Sequence, residues 1–133
     1  MTGLDTNILV RYFAQDDESQ FRAVLRLLTR RGSLYFVSDL VLVESAWVLT
    51  SVYDWTDLEI VEAYELLLTI SNLTFENEGR VRAALRAVKR GAGLADELIV
   101  AASRDVFGCR DLATFDARFA KRHPSFAFVP KAD

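Results

Sequence analysis

An α/β fold built on a parallel sheet is what three observations predict. Short apolar, aromatic-rich runs alternate with longer runs of helical period. Helix-capping signals stand at the start of several of the longer runs. Strands separated by helices of roughly 10–15 residues call for βαβ crossovers, and hence for a parallel sheet. No low-complexity segment, internal repeat or Pro/Gly/Ser-rich linker interrupts the pattern, so a single domain over residues 1–133 is expected.

Residues 2–5 read as a short strand. Asp17-Glu18-Ser19-Gln20 reads as the N-terminal box of a helix in which Phe21, Val24, Leu25 and Leu28 follow at i, i+3, i+4 and i+7, and Gly32 stops it. Residues 34–38 form an apolar, aromatic strand, followed by a helix over 39–53. Thr56-Asp57-Leu58-Glu59 is a second capping box, opening a helix that runs to about Ile70. A third strand covers 73–75. The next helix carries Val81, Ala84, Leu85 and Val88 on one face and ends near Gly91 and Gly93. A helix over 96–107, a strand over 111–114 and a last strand over 126–129 complete the chain. Ligands of such sheets bind beyond the carboxyl ends of the strands. Asp5 and Asp116 follow strands and Asp96 begins a helix, so three acids point to one edge.

The bulk properties narrow the function classes. A chain of 133 residues buries about two-thirds of the surface it exposes unfolded. No apolar run reaches the roughly 18 residues that span a bilayer. Asp5 and Asn7 break the N-terminal segment where a signal peptide needs an apolar core of roughly 7–15 residues. A cytoplasmic protein without membrane contact is therefore expected. The single Cys109 can form no internal disulfide, which fits a reducing compartment, and it is expected to pack as a small hydrophobe. A net charge of −3 and a pI near 5.2 argue at face value against nucleic-acid binding. If a cation masks the embedded acids described next, the remaining surface is about neutral and its arginine clusters gain weight.

Four acids sit in apolar sequence: Asp5, Glu44, Asp96 and Asp116. A buried carboxylate is normally paired, protonated or bound to a cation, and no matching set of embedded Lys or Arg accompanies these four. The set points to a divalent cation held by oxygen ligands. On its helix Glu44 neighbours Leu40, Val41, Trp47 and Val48, which argues that it does not face open water. Asp96 shares a stripe with Ile99, Val100 and Ser103, whereas Glu97 lines up with Ala101 and Arg104 and can pair toward solvent. Each acid also has a simpler reading. Asp5 can begin a turn with Thr6 and Asn7, Asp96 and Asp116 can cap helices, and Glu44 can pair with an arginine. Asp16, Asp17, Asp39 and Asp57 read as helix caps.

Other catalytic inventories fit less well. His123 is the only histidine and Cys109 the only cysteine, which leaves a Ser/His/Asp or Cys/His system one poorly placed base and a zinc site too few ligands. Gly91 and Gly93 lack the lysine and spacing of a phosphate loop. An aspartyl-phosphate chemistry at Asp5 would want an acid where Asn7 stands.

The run Leu4-Asp5-Thr6-Asn7-Ile8-Leu9-Val10, Glu44 in Leu42-Val43-Glu44, Ala95-Asp96-Glu97-Leu98-Ile99 and Ala113-Thr114-Phe115-Asp116 together resemble the PIN-domain family. In length and opening the chain looks like the VapC toxins of bacterial toxin–antitoxin pairs. The opening run is the most specific of the four motifs, and the others act through order and spacing. The resemblance implies a three-layer α/β/α sandwich with a central, mostly parallel sheet of four to five strands. It implies a Mg²⁺- or Mn²⁺-dependent endoribonuclease that hydrolyses RNA phosphodiester bonds with a metal-activated water, leaving a 5′-phosphate and a 3′-hydroxyl, and a VapB-like antitoxin partner. Carried over by position, Asp5, Glu44, Asp96 and Asp116 are catalytic and metal-binding, with Thr6, Asn7 and Thr114 as supporting polar groups. Many relatives read Gly-Ala-Asp-Phe where this chain has Gly91-Ala92-Gly93-Leu94, so a carboxylate of that loop is missing here.

Arg22, Arg26 and Arg30 form one basic stripe, and Arg82, Arg86, Lys89 and Arg90 another; either can track phosphates or simply face solvent. Trp47, Trp55, Tyr12 and Tyr53 are available to stack on bases or to fill core and interface. A hydrophobic content of 51% together with the resemblance suggests a homodimer. A nuclease of RNA processing outside any toxin pair, and a non-catalytic module whose acids hold a structural cation or a partner's arginine, are the alternatives.

Overall fold

The computed structural model describes residues 1–132 and shows an α/β chain in which helices outweigh strands. In order these are β1 (Thr2–Gly3), α1 (Thr6–Ala14), α2 (Glu18–Leu28), β2 (Tyr35–Val37), α3 (Asp39–Tyr53), α4 (Asp57–Leu67), β3 (Leu73–Phe75), α5 (Glu78–Lys89) and α6 (Leu94–Ala101). A π-helical turn over Ala102–Val106 extends α6, and β4 (Leu112–Ala113), α7 (Ala117–Arg122) and β5 (Ala127–Phe128) follow. The crossovers are parallel as expected. The five strands do not make one sheet of four to five: β1, β2 and β3 form a three-stranded sheet in that order, and β4 pairs only with β5. Two-residue strands offer too few ladder bonds to dictate a neighbour. In this chain β4 and β5 gather with α7 around Phe119 and Phe126 instead.

Helix α1 has no helical signal in the sequence. Its residues Ile8, Leu9, Val10, Tyr12 and Phe13 are β-branched, aliphatic or aromatic, and so look like a strand. Tertiary context makes it a helix: Asp5 caps its start, Leu9 and Val10 are buried, and Gln15 ends it in the left-handed region at φ 54°. Helix α3 begins at the Ser38 cap, whose Oγ accepts the Val41 N–H at 3.1 Å. Thr56 and Glu59 form the expected capping box at α4.

Polar ties fix the helix ends. Tyr53 Oη donates to Asp16 Oδ2 at 2.7 Å, and Arg11 donates to Asp16 Oδ1 at 3.2 Å, clamping α1 to the end of α3. The Tyr53 hydrogen bond, helped by the Arg11 charge, holds the Asp16 carboxyl below its ordinary range. Arg80 sets Nε at 3.0 Å and Nη2 at 2.6 Å from Asp39 Oδ2, joining α5 to the start of α3. Of the four acids read as caps only Asp17 is one; Ser38 and Thr56 do that work for Asp39 and Asp57, and Asp16 is a clamp.

The main core gathers Leu9, Val37, Leu42, Leu49, Val61, Tyr64 and Leu85 among others. Within it Tyr64 Oη donates to the Leu42 carbonyl at 2.7 Å and meets Ser45 Oγ at 2.7 Å; burial pushes the phenol upward. A smaller cluster of Val100, Phe119, Phe126 and Ala127 holds the C-terminal elements. Cys109 is exposed and not part of either, contrary to the packing expected from its residue type. It lies in the loop after the π-turn, where the backbone N–H of Cys109 reaches back to the Ser103 carbonyl at 2.8 Å. No helix among the described residues is long and apolar enough to cross a membrane.

Leu49 is 0% exposed, so Leu49→Ala leaves a cavity and is expected to cost about 2–5 kcal/mol. A urea midpoint that moves by less than a kilocalorie-equivalent at unchanged slope would show that α3 does not anchor the core.

Candidate metal centre

The four acids fall into two groups. Asp5 follows β1 and caps α1, its Oδ1 accepting the Thr6 N–H at 2.8 Å. The hydroxyl of Thr6, itself only 6% exposed, donates to Glu44 Oε1 at 2.5 Å. One residue therefore bridges Asp5 and Glu44 across the packed pair α1 and α3. Glu44 is nonetheless exposed, and so are Leu40 at 72% and Trp47 at 67% on its own stripe. The expectation that Glu44 is shielded from water is thus corrected. Apolar neighbours at i±3 and i±4 share a face with a residue, but on a helix apolar on every side they do not tell which face is inward.

The second group is on α6 and α7. Asp96 is the third residue of α6, whose N-cap is Gly93, and it makes no capping hydrogen bond. The simple cap reading for Asp96 is therefore not what the structure draws. Asp116 is the N-cap of α7, its Oδ1 accepting the Phe119 N–H at 3.1 Å, while its own N–H donates to Thr114 Oγ1 at 3.0 Å. Burial first, then the charges of Asp116 and Glu97, push the Asp96 carboxyl above its ordinary range; His123 and Arg122 pull the other way. A Cβ added at Gly93 would lie 2.9 Å from Asp96 Oδ2, so the carboxylate occupies room that a side chain would need.

Among the described residues none of the four acids is in an ion pair with Lys or Arg. Neither do three acid, histidine or cysteine side chains come together in a cluster able to hold a cation. The structure thus links Asp5 to Glu44 through Thr6 and sets Asp116 where its charge acts on Asp96, and does not join the four acids into one quartet. The donor chemistry of each pair fits a hard cation: carboxylate oxygens without basic partners, and in one pair a carboxyl whose ionisation its neighbour opposes.

Of the supporting groups, Thr6 orients Glu44 and Thr114 fixes the backbone of Asp116. Asn7 is exposed at a groove walled by Ile8, Ala23, Val24 and Leu27, between α1 and α2. Two further residues stand beside the Asp96 group. Glu97 does not pair toward solvent: its Oε1 lies 3.1 Å from His123 Nε2, both side chains 17% exposed. Arg122 Nη2 donates to the Gly91 carbonyl at 2.7 Å. The separation of Glu97 from His123 in sequence hid that pair, and backbone acceptors leave no sequence signal.

The basic stripes differ. Arg22 and Arg26 on α2, and Arg30 just beyond its end, are exposed and have no acidic partner among the described residues, whereas Arg82 meets Glu78 at 3.6 Å and Lys89 meets Glu65 at 2.6 Å. Of the four aromatics considered for stacking, Tyr12, Tyr53 and Trp55 pack on the main core and Trp47 alone is exposed.

Comparison with known proteins adds family evidence. The family pattern of the PIN domain matches residues 4–123. A VapC ribonuclease of Aquifex aeolicus (strain VF5) is 22% identical over 120 residues, covering 89% of this chain and 89% of the relative.

Because the folded state raises the Asp96 carboxyl, it binds that proton more tightly than the unfolded chain, whose ordinary value is 3.8. Metal-free stability from this group therefore falls as pH rises from about that value through the raised folded one. Asp96→Asn is expected to be as stable as wild type or more so in EDTA at neutral pH, with the difference closing in acid. Urea melts across pH check this. A uniform loss of about 1 kcal/mol at every pH would instead mark Asp96 as a cap.

Proposed function

The chain belongs to the PIN domain family, and we propose that it is a divalent-metal-dependent endoribonuclease, the toxin of a type II toxin–antitoxin pair, acting on RNA phosphodiester bonds. The observation that carries this reading is the set of four carboxylates without Lys or Arg partners, three of which, Asp5, Glu44 and Asp116, accept a backbone N–H or hydroxyl hydrogen bond. Membership of the PIN family and the distant similarity to a VapC ribonuclease support a nuclease.

Asp96 and Asp116, with Asp5 and Glu44 from the other side, would hold Mg²⁺ or Mn²⁺. Such a cation supplies Lewis acidity toward a phosphoryl oxygen and acidifies water toward neutral pH. Thr6 holds the Glu44 oxygen in place, and Thr114 holds the start of α7 so that Asp116 keeps its direction. Arg22 and Arg26 on α2, with Arg30 just after it, offer an RNA backbone three exposed cations. His123 is engaged with Glu97, which supports a mechanism that asks no imidazole base of the chain.

Purified protein is expected to cut RNA in Mg²⁺ or Mn²⁺ and not in EDTA. Loss of a ligand forfeits several kcal/mol of transition-state stabilisation, so Asp5→Asn and Asp96→Asn should each lose about 100-fold or more in rate. Wild type should also gain roughly 2.7 kcal/mol at about 100 times the metal's dissociation constant. Undiminished cutting in chelator by protein free of contaminating nuclease would sink the metal mechanism.

We also propose a homodimer and a VapB-like antitoxin, on the ground that Leu40, Trp47 and Ile99 are large apolar residues left exposed on α3 and α6. The antitoxin is expected to direct a basic side chain toward the acids, where a bidentate, charge-assisted contact is available. Light scattering should give twice the 15.0 kDa chain mass. A concentration-independent monomer counts against the dimer, and an antitoxin that binds Asp5→Asn/Asp96→Asn protein as tightly as wild type does not dock on the acids.

A further inference from the structure

Helix α7 is six residues long, less than two turns, and Phe119 is its one buried side chain. A single buried point fixes a position but not a direction. Yet the helix carries Asp116 at its N-terminal end, where a swing of the axis would change the separation from Asp96 most. Its C-terminal end supplies two further anchors. Arg122 Nη2 donates to the Gly91 carbonyl at 2.7 Å, and His123 Nε2 lies 3.1 Å from Glu97 Oε1. Glu97 is the residue after Asp96 on α6, and Gly91 lies in the turn that leads into α6. Both anchors therefore tie α7 to the element that bears its partner carboxylate.

The local geometry is built around these contacts. Gly91 adopts φ +97°, a left-handed conformation that suits glycine, and a Cβ there would stand 3.1 Å from Arg122 Nη2. The His123 ring also stacks at a tilt on Phe119, centroids 5.6 Å apart, coupling the anchor to the buried point.

We propose that Arg122, His123 and Glu97 form a latch that fixes the direction of α7 against α6, making them positioning residues for the Asp96–Asp116 pair. The proposal rests on reading that pair as cation ligands. Outer contacts that orient ligands commonly weaken metal binding when lost, even though they touch no metal.

The test compares Arg122→Ala/His123→Ala with the conservative Arg122→Lys/His123→Gln, which keeps a donor for Gly91 and one for Glu97. Mn²⁺ affinity is read by calorimetry or by the free-ion electron paramagnetic resonance signal, and melting in EDTA reports any loss of fold separately. The alanine pair should bind Mn²⁺ about 10- to 100-fold more weakly. Its kcat should fall in parallel with an unchanged KM for RNA, and the conservative pair should recover most of the affinity. A folded alanine pair that binds Mn²⁺ as wild type does overturns the latch while leaving the metal reading intact. A loss that the conservative pair does not recover also overturns it. A wild type that takes up no Mn²⁺ overturns both.

Discussion

Carboxylates held by backbone N–H groups and hydroxyls, and not by basic side chains, are the constraint to which the rest of the structure answers. Asp5 and Asp116 each stand at a helix N-terminus, where the peptide dipoles present about half a positive charge. That partial charge stabilises an anion without consuming it, whereas a bidentate arginine would occupy both oxygens. In each of these two acids one oxygen takes the cap bond and the other is left for a ligand. Thr6 does the same for Glu44 with a neutral hydroxyl. Folding thus fixes Asp5, Glu44 and Asp116 while leaving their charge uncancelled, and the Asp96 carboxyl is raised first by burial and then by the nearby charges of Asp116 and Glu97.

The two pairs ride on different parts of the core. Asp5, Thr6 and Glu44 are carried by α1 and α3, whose buried residues Leu9, Leu42 and Leu49 belong to the main cluster. Asp96 and Asp116 belong to α6 and α7, whose Val100 and Phe119 belong to the smaller one. Within each pair the geometry is set by short-range bonds. Between pairs it depends on how α6 packs against α3. Apolar surfaces attract without direction, so that docking constrains separation less sharply than a hydrogen bond does.

Much of this was legible in the sequence because local chemistry dictated it. The capping box at Thr56, the strand at 73–75 and the helix over 39–53 each carry their own signal, and each lies where the reading placed it. Helix α1 was not legible, since Ile8, Val10, Tyr12 and Phe13 favour a strand and only packing against α3 decides otherwise. Sheet partnership was not legible either: two-residue strands announce themselves by composition but not by neighbour, so the split into three and two strands could not be read. At the site, residue order identified four acids in apolar settings. It could not say that Glu44 is exposed, because its helix is apolar all round, nor that Glu97 meets His123 across a turn of tertiary structure. The joining of all four acids into one centre remains part of the proposed function.

Net charge is the last element to place. A chain at −3 should repel a polyanion, and the uncancelled acids make the repulsion strongest where the reaction would occur. Two features oppose it. Exposed Arg22 and Arg26 on α2, and Arg30 just beyond it, present positive charge beside the helix that shares the groove of Asn7, two residues from Asp5. A cation on the carboxylates would reverse the sign at the site itself. Screening over roughly 8–10 Å at ordinary ionic strength then lets RNA sense these local charges more than the distant total. On the proposed function, a negative protein would act on RNA when its acids are occupied: the same electrostatics that oppose a polyanion in the metal-free state would admit it once the site is charged.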